Sequence, residues 1–290
     1  MAVVAGAQAA HDASHPRTRI EAVGCKAAKH VAAKHVAAGQ PPIEWRGDDV
    51  RWGEWPVRLG SSGVRARIVV AVFDPRRLAL ALDLVQHDGA IAPWTLDAAP
   101  ADARIALNAG QFADEGPWGW VVHRGREWQA PGSGSLAGAV VVDTGGAVRV
   151  VAASAIGAWR GSGAVREAIQ SYPTLLDEGA APGALCPGGS GVDREHRDAR
   201  LALGVRPDGH VVIALSRYDA PALPERTPIG PTTPEMAEIM RRLGAKDALM
   251  LDGGLSAQLL LREGASGELA SGEVRRWPGL RAVPLALVAR

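Results

Sequence analysis

The chain has 290 residues, of which 47% are hydrophobic and 22% are charged, and its formal net charge at pH 7 is +1. This length and composition are typical of a globular protein with one large core or two modest ones. The near-neutral charge and the lack of a basic stripe exclude a typical nucleic-acid-binding surface, and no apolar run is long enough to predict a membrane span.

Residues 1–64 differ in composition from the rest and are interpreted as an N-terminal tail or linker, partly of low complexity. A near-duplicated Ala/Lys/His tract covers residues 28–37. The first residues are apolar but lack the basic group that begins a secretory signal, so no clear signal peptide is predicted. The two cysteines, Cys25 and Cys186, could pair, but neither is expected to be structural.

From about residue 64 onward, the chain predicts many short strands. Helical patterns are few, one near residues 165–169 and one that begins at Pro234. Because the strands precede the main helix and no βαβ repeat is present, the predicted class is α+β, with a mixed or antiparallel sheet core and a few flanking helices. The predicted strands are apolar segments separated by Gly, Pro or Asp, namely residues 66–73, 78–85, 105–107, 120–123, 139–142 and 148–152.

The segment 233–261 predicts a helix that leads into a buried strand. Thr233 is expected to cap the helix, Pro234 to occupy its first position, and Gly244 to end it. The short apolar run 248–251 then predicts the strand.

Asp252, Gly253 and Gly254 follow this strand and form a charged turn in an apolar frame (the Asp252 turn, residues 252–254). Glycines permit positive φ and leave no side chain over the turn, so a ligand could reach the Asp252 carboxylate and the backbone amides together. A second predicted strand, 257–261, comes next. Asp-Gly between two strands is also a common signal for a simple hairpin without chemistry, and the residues alone leave that interpretation open.

Four motifs occur in the order Leu107-Asn108-Ala109-Gly110-Gln111-Phe112, Arg200-Leu201-Ala202-Leu203-Gly204, the segment 233–261, and Arg281-Ala282-Val283-Pro284. They resemble the pattern of the phosphodiester glycosidase family, which has an Asn-Gly-Gly-Phe-Phe box, an Arg-Thr-Ala-Ile-Gly box, a helix leading into Leu-Asp-Gly-Gly-Gly-Ser, and a closing Arg. The resemblance covers residues 65–290, which we interpret as one domain. It departs from the pattern at Ala109, Gln111 and Leu255, and the segment Gln170-Ser171-Tyr172-Pro173 is similar to one found in a bacterial branch.

The resemblance implies a hydrolase that cleaves a sugar, with N-acetylglucosamine as one candidate, from a sugar-1-phosphodiester or related glycan. This reaction needs a pocket for sugar hydroxyls, cations for the phosphate, and a carboxylate at the anomeric carbon. The expected catalytic residues are Asp252 as base, nucleophile or hydroxyl ligand, Asn108 as a polar contact, and Arg200 as a phosphate clamp. The expected substrate-binding residues are Gly110, Gln170, Gly253, Gly254, Ser256 and Arg281.

The motifs supply only one carboxylate, whereas glycosidases ordinarily use two. Asp114, Glu115, Asp177 and Glu178 are candidates for the second, although solvated loop positions explain them as well. His196 is a candidate acid/base, with a charged surface loop as the alternative. No cofactor is expected, and a Ca²⁺ site at Asp252 has only weak support.

Two other functions stay open at this point. One is a phosphodiesterase that breaks a P–O bond. The other is a non-catalytic glycan-binding protein, and the departures from the family pattern favour this second alternative. An arginine that opens a strand also commonly points to solvent, which is the alternative for Arg200 and Arg281. The resemblance implies a periplasmic or secreted protein, in conflict with the missing signal peptide.

Overall fold

The computed structural model describes residues 17–22, 41–84, 86–87, 90–113, 116–221, 223–263 and 274–290. Over these ranges the protein consists mainly of antiparallel β-sheets, with few helices, which confirms the predicted class. No helix in them is both long and apolar enough to cross a membrane.

Two α-helices occur in the described ranges, α1 (Ile156–Gly161) and α2 (Thr233–Arg242). The strands are short and, numbered in chain order, are β1 (Thr18–Ile20), β2 (Val50–Leu59), β3 (Val64–Phe73), β4 (Leu80–Asp83), β5 (Gln86–His87), β6 (Ala90–Ile91), β7 (Ile105–Asn108), β8 (Phe112–Ala113), β9 (Gly116–Pro117), β10 (Val121–His123), β11 (Arg126–Gln129), β12 (Ala139–Asp143), β13 (Val148–Val151), β14 (Val165–Gln170), β15 (Thr174–Leu176), β16 (Leu201–Val205), β17 (Val211–Tyr218), β18 (Asp247–Met250), β19 (Leu259–Arg262), β20 (Val274–Trp277) and β21 (Ala286–Ala289).

Three larger sheets make up the fold. The first has seven strands in the order β1-β2-β3-β17-β16-β18-β15, and the others have five each, β11-β10-β14-β12-β13 and β20-β19-β7-β21-β4. All neighbouring pairs in them are antiparallel except β1 and β2. Residues 50–59, which sequence analysis placed in the N-terminal segment, form β2 and pair with β3 along its whole length.

The main core lies where the inner faces of the three sheets meet. Val69, Leu203 and Ile213 from the seven-stranded sheet pack in one cluster with Leu107 and Val140 from the two five-stranded sheets. Alternate residues of each strand point into this cluster, as expected for a pleated strand. The sheet ends that carry the matched motifs are therefore fixed by one continuous core.

Helix α2 covers the outer face of the seven-stranded sheet, where Met236 and Met240 pack with Ile68 and Val212. Its N-cap is Thr232, so the prediction of Thr233 as the cap was wrong by one residue. The reason is a capping box: Thr232 Oγ1 accepts a hydrogen bond from the Glu235 backbone N–H at 3.4 Å, and the Glu235 carboxylate accepts one from the Thr232 N–H at 2.9 Å.

Two further predictions from the sequence were wrong. Residues 165–169 do not form a helix, because Val165–Gln170 is β14, the central strand of a five-stranded sheet, paired with β10 and β12. The pairing partners of β14 are distant in sequence and leave no local signal.

The second wrong prediction concerns the cysteines. Cys186 is structural, since it is disulfide-bonded, and Cys25 lies outside the described residues.

The Asp252 turn is not a hairpin. The strand before it, β18, belongs to the seven-stranded sheet, whereas the strand after it, β19, belongs to a five-stranded sheet. The turn therefore carries the chain from one sheet to another, at a place where ends of both sheets meet.

Candidate active site

The backbone of Asp252 is fixed by the Asn-Ala-Gly box at the end of β7. The Asn108 side-chain amide donates a hydrogen bond to the Asp252 carbonyl at 2.8 Å, and the Asp252 N–H donates to the Ala109 carbonyl at 3.1 Å. The Asn108 side-chain oxygen accepts a third hydrogen bond, from the Gln258 N–H at 2.9 Å. Asn108 is fully buried, and its hydrogen bonds connect Asp252, at the start of the Asp252 turn, with Gln258, just before β19.

The two glycines of the Asp252 turn allow it to lie against the start of β16. A Cβ at Gly253 would stand 2.6 Å from the Ala199 carbonyl oxygen, too close for any side chain. Gly254 has a φ of +57°, and its N–H donates to the same carbonyl at 2.7 Å. Both positions must therefore be glycine for the turn to lie against Ala199, the residue before the second motif.

The Asp252 carboxylate is held by two side chains from the third and fourth motifs. Its Oδ2 lies 3.4 Å from a terminal nitrogen of Arg281, whose Nε donates to Ser256 Oγ at 2.6 Å. Burial raises the pKa of Asp252, while a hydrogen bond from Ser256 and the charge of Arg281 act in the opposite direction. The Arg281 guanidinium also stacks over the Phe112 ring, 4.6 Å from its centroid.

Arg200 is held from three sides at the start of β16. Its backbone N–H donates to Ser216 Oγ at 2.7 Å, and its guanidinium donates to the carbonyls of Pro231 at 3.2 Å and His196 at 2.8 Å. Burial lowers the pKa of Arg200, and the charges of Asp198 and Asp193 oppose that change. Since arginine stays protonated in proteins, the result is a cation fixed in position and partly withdrawn from water.

A cavity of about 420 Å³ opens where these motifs meet. Among the residues predicted from the sequence, it brings together Asp252, Gly253, Gly254, Arg200, Arg281 and the candidate acid/base His196. The other side chains that contribute polar groups to its wall are Gln111, Tyr172, Asp193, Asp198 and Thr233.

Four of the predicted site residues lie behind this cavity instead of lining it: Asn108, Gly110, Gln170 and Ser256. The Gln170 side chain binds the backbone on both sides, accepting from the N–H groups of Trp120 at 2.9 Å and Gly132 at 2.7 Å. A Cβ at Gly110 would lie 2.5 Å from the Gln170 carbonyl oxygen. These residues are placed to support the cavity wall.

Gln111, one of the departures from the family pattern, has a clear structural partner. Its amide forms two hydrogen bonds with the Tyr172 backbone, donating to the carbonyl at 2.6 Å and accepting from the N–H at 2.9 Å. The Tyr172 hydroxyl in turn donates to the Gly191 carbonyl, and burial raises the pKa of this tyrosine. Gln111 therefore joins the first motif to the Gln-Ser-Tyr-Pro segment.

Two carboxylates of the cavity wall, Asp193 and Asp198, were not predicted from the sequence, and Asp193 is exposed. The Asp198 side chain is 24% exposed, against 14% for Asp252, and burial raises the pKa of Asp198 against the charge of Arg200. Asp177 and Glu178, proposed from the sequence as second carboxylates, are exposed and do not line the cavity. The available signal was position, because Asp198 lies two residues before Arg200, the first residue of the second motif.

Asp114 and Glu115, the remaining candidates, lie outside the described residues. His196 does line the cavity, with its side chain 61% exposed and Nε2 3.7 Å from Asp198 Oδ2. Among the residues that the structure describes, no three His, Cys, Asp or Glu side chains are grouped as a metal site.

Comparison with known proteins gives a family and a fold. The model of the phosphodiester glycosidase family matches residues 101–290, whereas no curated protein matches the chain. Among solved structures, the catalytic domain of zebrafish N-acetylglucosamine-1-phosphodiester alpha-N-acetylglucosaminidase, auto-inhibited by its pro-peptide, is similar with a TM-score of 0.61. That similarity covers 89% of this chain and 86% of that one, at 15% identity.

Two bacterial structures are also similar. One is a hypothetical protein from Synechocystis, with a TM-score of 0.52 and 18% identity over 87% of this chain and 64% of that one. The other is a putative exported protein from Burkholderia pseudomallei, with a TM-score of 0.51 and 17% identity over 78% of this chain and 74% of that one. At these identities, the likeness concerns the fold alone.

Proposed function

The chain belongs to the phosphodiester glycosidase family, and from this premise we propose that it hydrolyses the bond between a sugar and a phosphodiester. One observation carries the proposal: Asp252, Arg200 and Arg281, from three separate motifs, converge on one cavity. A carboxylate that shares a cavity with two guanidinium groups is suited to a substrate that joins a sugar to an anionic ester.

In the proposed reaction, Arg200 and Arg281 bind the phosphate oxygens and Asp252 stabilises positive charge that develops at the anomeric carbon. Water adds to that carbon, and the bond from it to the phosphate oxygen breaks with its electron pair remaining on the phosphate. Because phosphate is a good leaving group, little protonation by an acid is needed. We thus propose that the two arginines bind the phosphate leaving group and that Asp252 acts on the sugar.

The residues behind the cavity are assigned to positioning. Asn108 fixes the Asp252 backbone, and Ser256 fixes the Arg281 guanidinium. Gly110 packs against the backbone of Gln170, two residues before Tyr172 in the cavity wall. Their loss is expected to act on the reaction through the side chains that they hold.

The first substrates to test are N-acetylglucosamine-1-phosphodiesters, because the name of the zebrafish relative describes an enzyme that acts on them. Purified wild type and Asp252→Asn are incubated with a panel of sugar-1-phosphodiesters, and the products are identified by mass spectrometry. We expect free sugar and a phosphomonoester from wild type, and at least about a 100-fold slower release from the variant. Asp177→Asn, an exposed acid outside the cavity, is the matched control.

The same panel separates the alternatives. Release of a sugar phosphate would indicate P–O cleavage, and a melting temperature that rises with ligand, without turnover, would indicate a glycan-binding protein. Either result contradicts the proposal.

We also propose that the protein works outside the reducing cytosol. The disulfide at Cys186 supports this, since such bonds persist mainly in exported proteins. Fractionation of the producing cells tests it, and a protein found only in the cytosol would refute it.

A further inference from the structure

We infer that Asp198 is a second catalytic carboxylate, which accepts the proton of the water that attacks the anomeric carbon. The inference rests on the proposed function and goes beyond the motifs, which supply Asp252 alone. It follows from the position of Asp198, from the different contacts of its two carboxylate oxygens, and from the chemistry that the cavity still lacks.

Asp198 lies directly against the Asp252 turn. A Cβ at Gly254 would stand 2.9 Å from Asp198 Oδ2, so only a glycine leaves this oxygen open. Both carboxylates line the same cavity, and both are mostly shielded from bulk water, with 24% of the Asp198 side chain and 14% of the Asp252 side chain exposed. A sugar bound at the turn would therefore contact both acids.

The two carboxylates differ in their partners. Asp252 Oδ2 faces the guanidinium of Arg281. The Asp198 Oδ1 atom accepts from the Ala199 N–H at 2.9 Å, whereas its Oδ2 lies 3.7 Å from His196 Nε2, longer than a hydrogen bond. Asp252 Oδ2 is consequently paired with a cation, whereas Asp198 Oδ2 accepts no hydrogen bond within 3.5 Å among the described contacts.

The nearby arginine does not compete for this oxygen. The Arg200 guanidinium donates to the carbonyls of Pro231 and His196, so its charge is near Asp198 without a hydrogen bond to it among the described contacts. Burial also raises the pKa of Asp198, which makes its carboxylate a better proton acceptor. Position and basicity therefore agree.

The water oxygen bonds to the anomeric carbon while Asp198 Oδ2 takes one water proton, and the bond to the phosphate oxygen breaks with its electron pair on the phosphate. The products are a free sugar and a phosphomonoester. His196, 61% exposed at the cavity mouth, is placed to pass the proton to solvent.

The test uses Asp198→Ala and Asp198→Asn with a sugar-1-phosphodiester and added sodium azide. Azide attacks carbon without losing a proton, so it needs no general base. We expect both variants to lose about 10²- to 10⁴-fold in kcat with little change in KM. Azide should restore turnover of Asp198→Ala and yield a glycosyl azide, detected by mass spectrometry. Asp177→Ala, the exposed matched control, should keep the wild-type rate.

Asp198→Asn guards against a folding defect, because its side-chain oxygen can still accept from the Ala199 N–H. Activity within about threefold of wild type in either variant would overturn the inference and leave the proposed function intact. A loss in Asp198→Ala that azide does not rescue, with an unchanged melting temperature, would also overturn the role as base. A wild type that cleaves no ester would refute the proposed function and, with it, the role of Asp198.

Discussion

Asn108→Ala should destabilise the fold and misplace the Asp252 carboxylate at the same time. Asn108 is the only asparagine in the sequence, it is fully buried, and its side chain satisfies the Gln258 N–H and the Asp252 carbonyl. Alanine leaves both backbone groups without that partner. An unsatisfied buried group costs about 1–3 kcal/mol, so the loss expected for two such groups is about 2–6 kcal/mol in the free energy of unfolding.

The assay is urea denaturation followed by circular dichroism, with Gln129→Ala, on an exposed strand, as the control, expected to change stability by less than about 0.5 kcal/mol. Asn108→Asp separates the two hydrogen bonds, because it keeps an acceptor for Gln258 and loses the donor to Asp252. It should bind and turn over substrate poorly even where it remains folded. A loss below about 1 kcal/mol for Asn108→Ala would refute the reasoning, since the two bonds would then contribute little.

Three further outcomes are expected. Gly253→Ala should cost about 1–3 kcal/mol in urea denaturation, because its Cβ would stand 2.6 Å from a backbone carbonyl; unchanged stability would contradict the close approach. Arg281→Lys keeps the positive charge but loses the guanidinium group, whose separate nitrogens contact Ser256 and Asp252. The value of kcat/KM should therefore fall about 10- to 100-fold. A wild-type value would show that Arg281 does not act in the site. Burial raises the pKa of Asp252, so the folded protein binds this proton more tightly than the unfolded chain, and stability falls as pH rises from the unfolded pKa through the folded pKa. Asp252→Asn removes the buried charge and should therefore melt at a higher temperature than wild type at pH 7, with the gain lost in strong acid. An equal or lower melting temperature at pH 7 would contradict this prediction.

The sequence predicted the strands well where a strand is apolar and bounded by glycine, proline or aspartate. Residues 66–73 and 105–107, for example, lie within β3 and β7. It failed for β14, because the pattern of residues 165–169 reflects pairing with β10 and β12, which are far away in the chain. Local periodicity contains no information about such partners.

The sequence also placed Asp252 correctly at the end of a strand but could not exclude a hairpin. That choice depends on which sheet receives β19, and so on the whole core rather than on the turn. A strand signal identifies a strand without identifying its neighbours.

Within the matched motifs, sequence reasoning could not tell which side chains face the cavity. Asn108 and Ser256 are polar and stand in motifs, as Asp252 does, yet they are fully buried and bind other protein groups. Asp198 was overlooked because it lies in a run of charged residues that indicates a solvated loop. Only the approach of the Asp252 turn to residues 198–200 withdraws it from water.

Hydrolysis in water enriched in ¹⁸O shows whether the enzyme breaks the bond at the anomeric carbon or a bond at phosphorus. Wild type is incubated with a sugar-1-phosphodiester, and the label is located in the products by mass spectrometry. If water attacks the anomeric carbon beside Asp252, as we propose, the heavy oxygen will be found in the free sugar and the phosphomonoester will be unlabelled. Label in the phosphate would mean attack at phosphorus and would contradict a glycosidase mechanism.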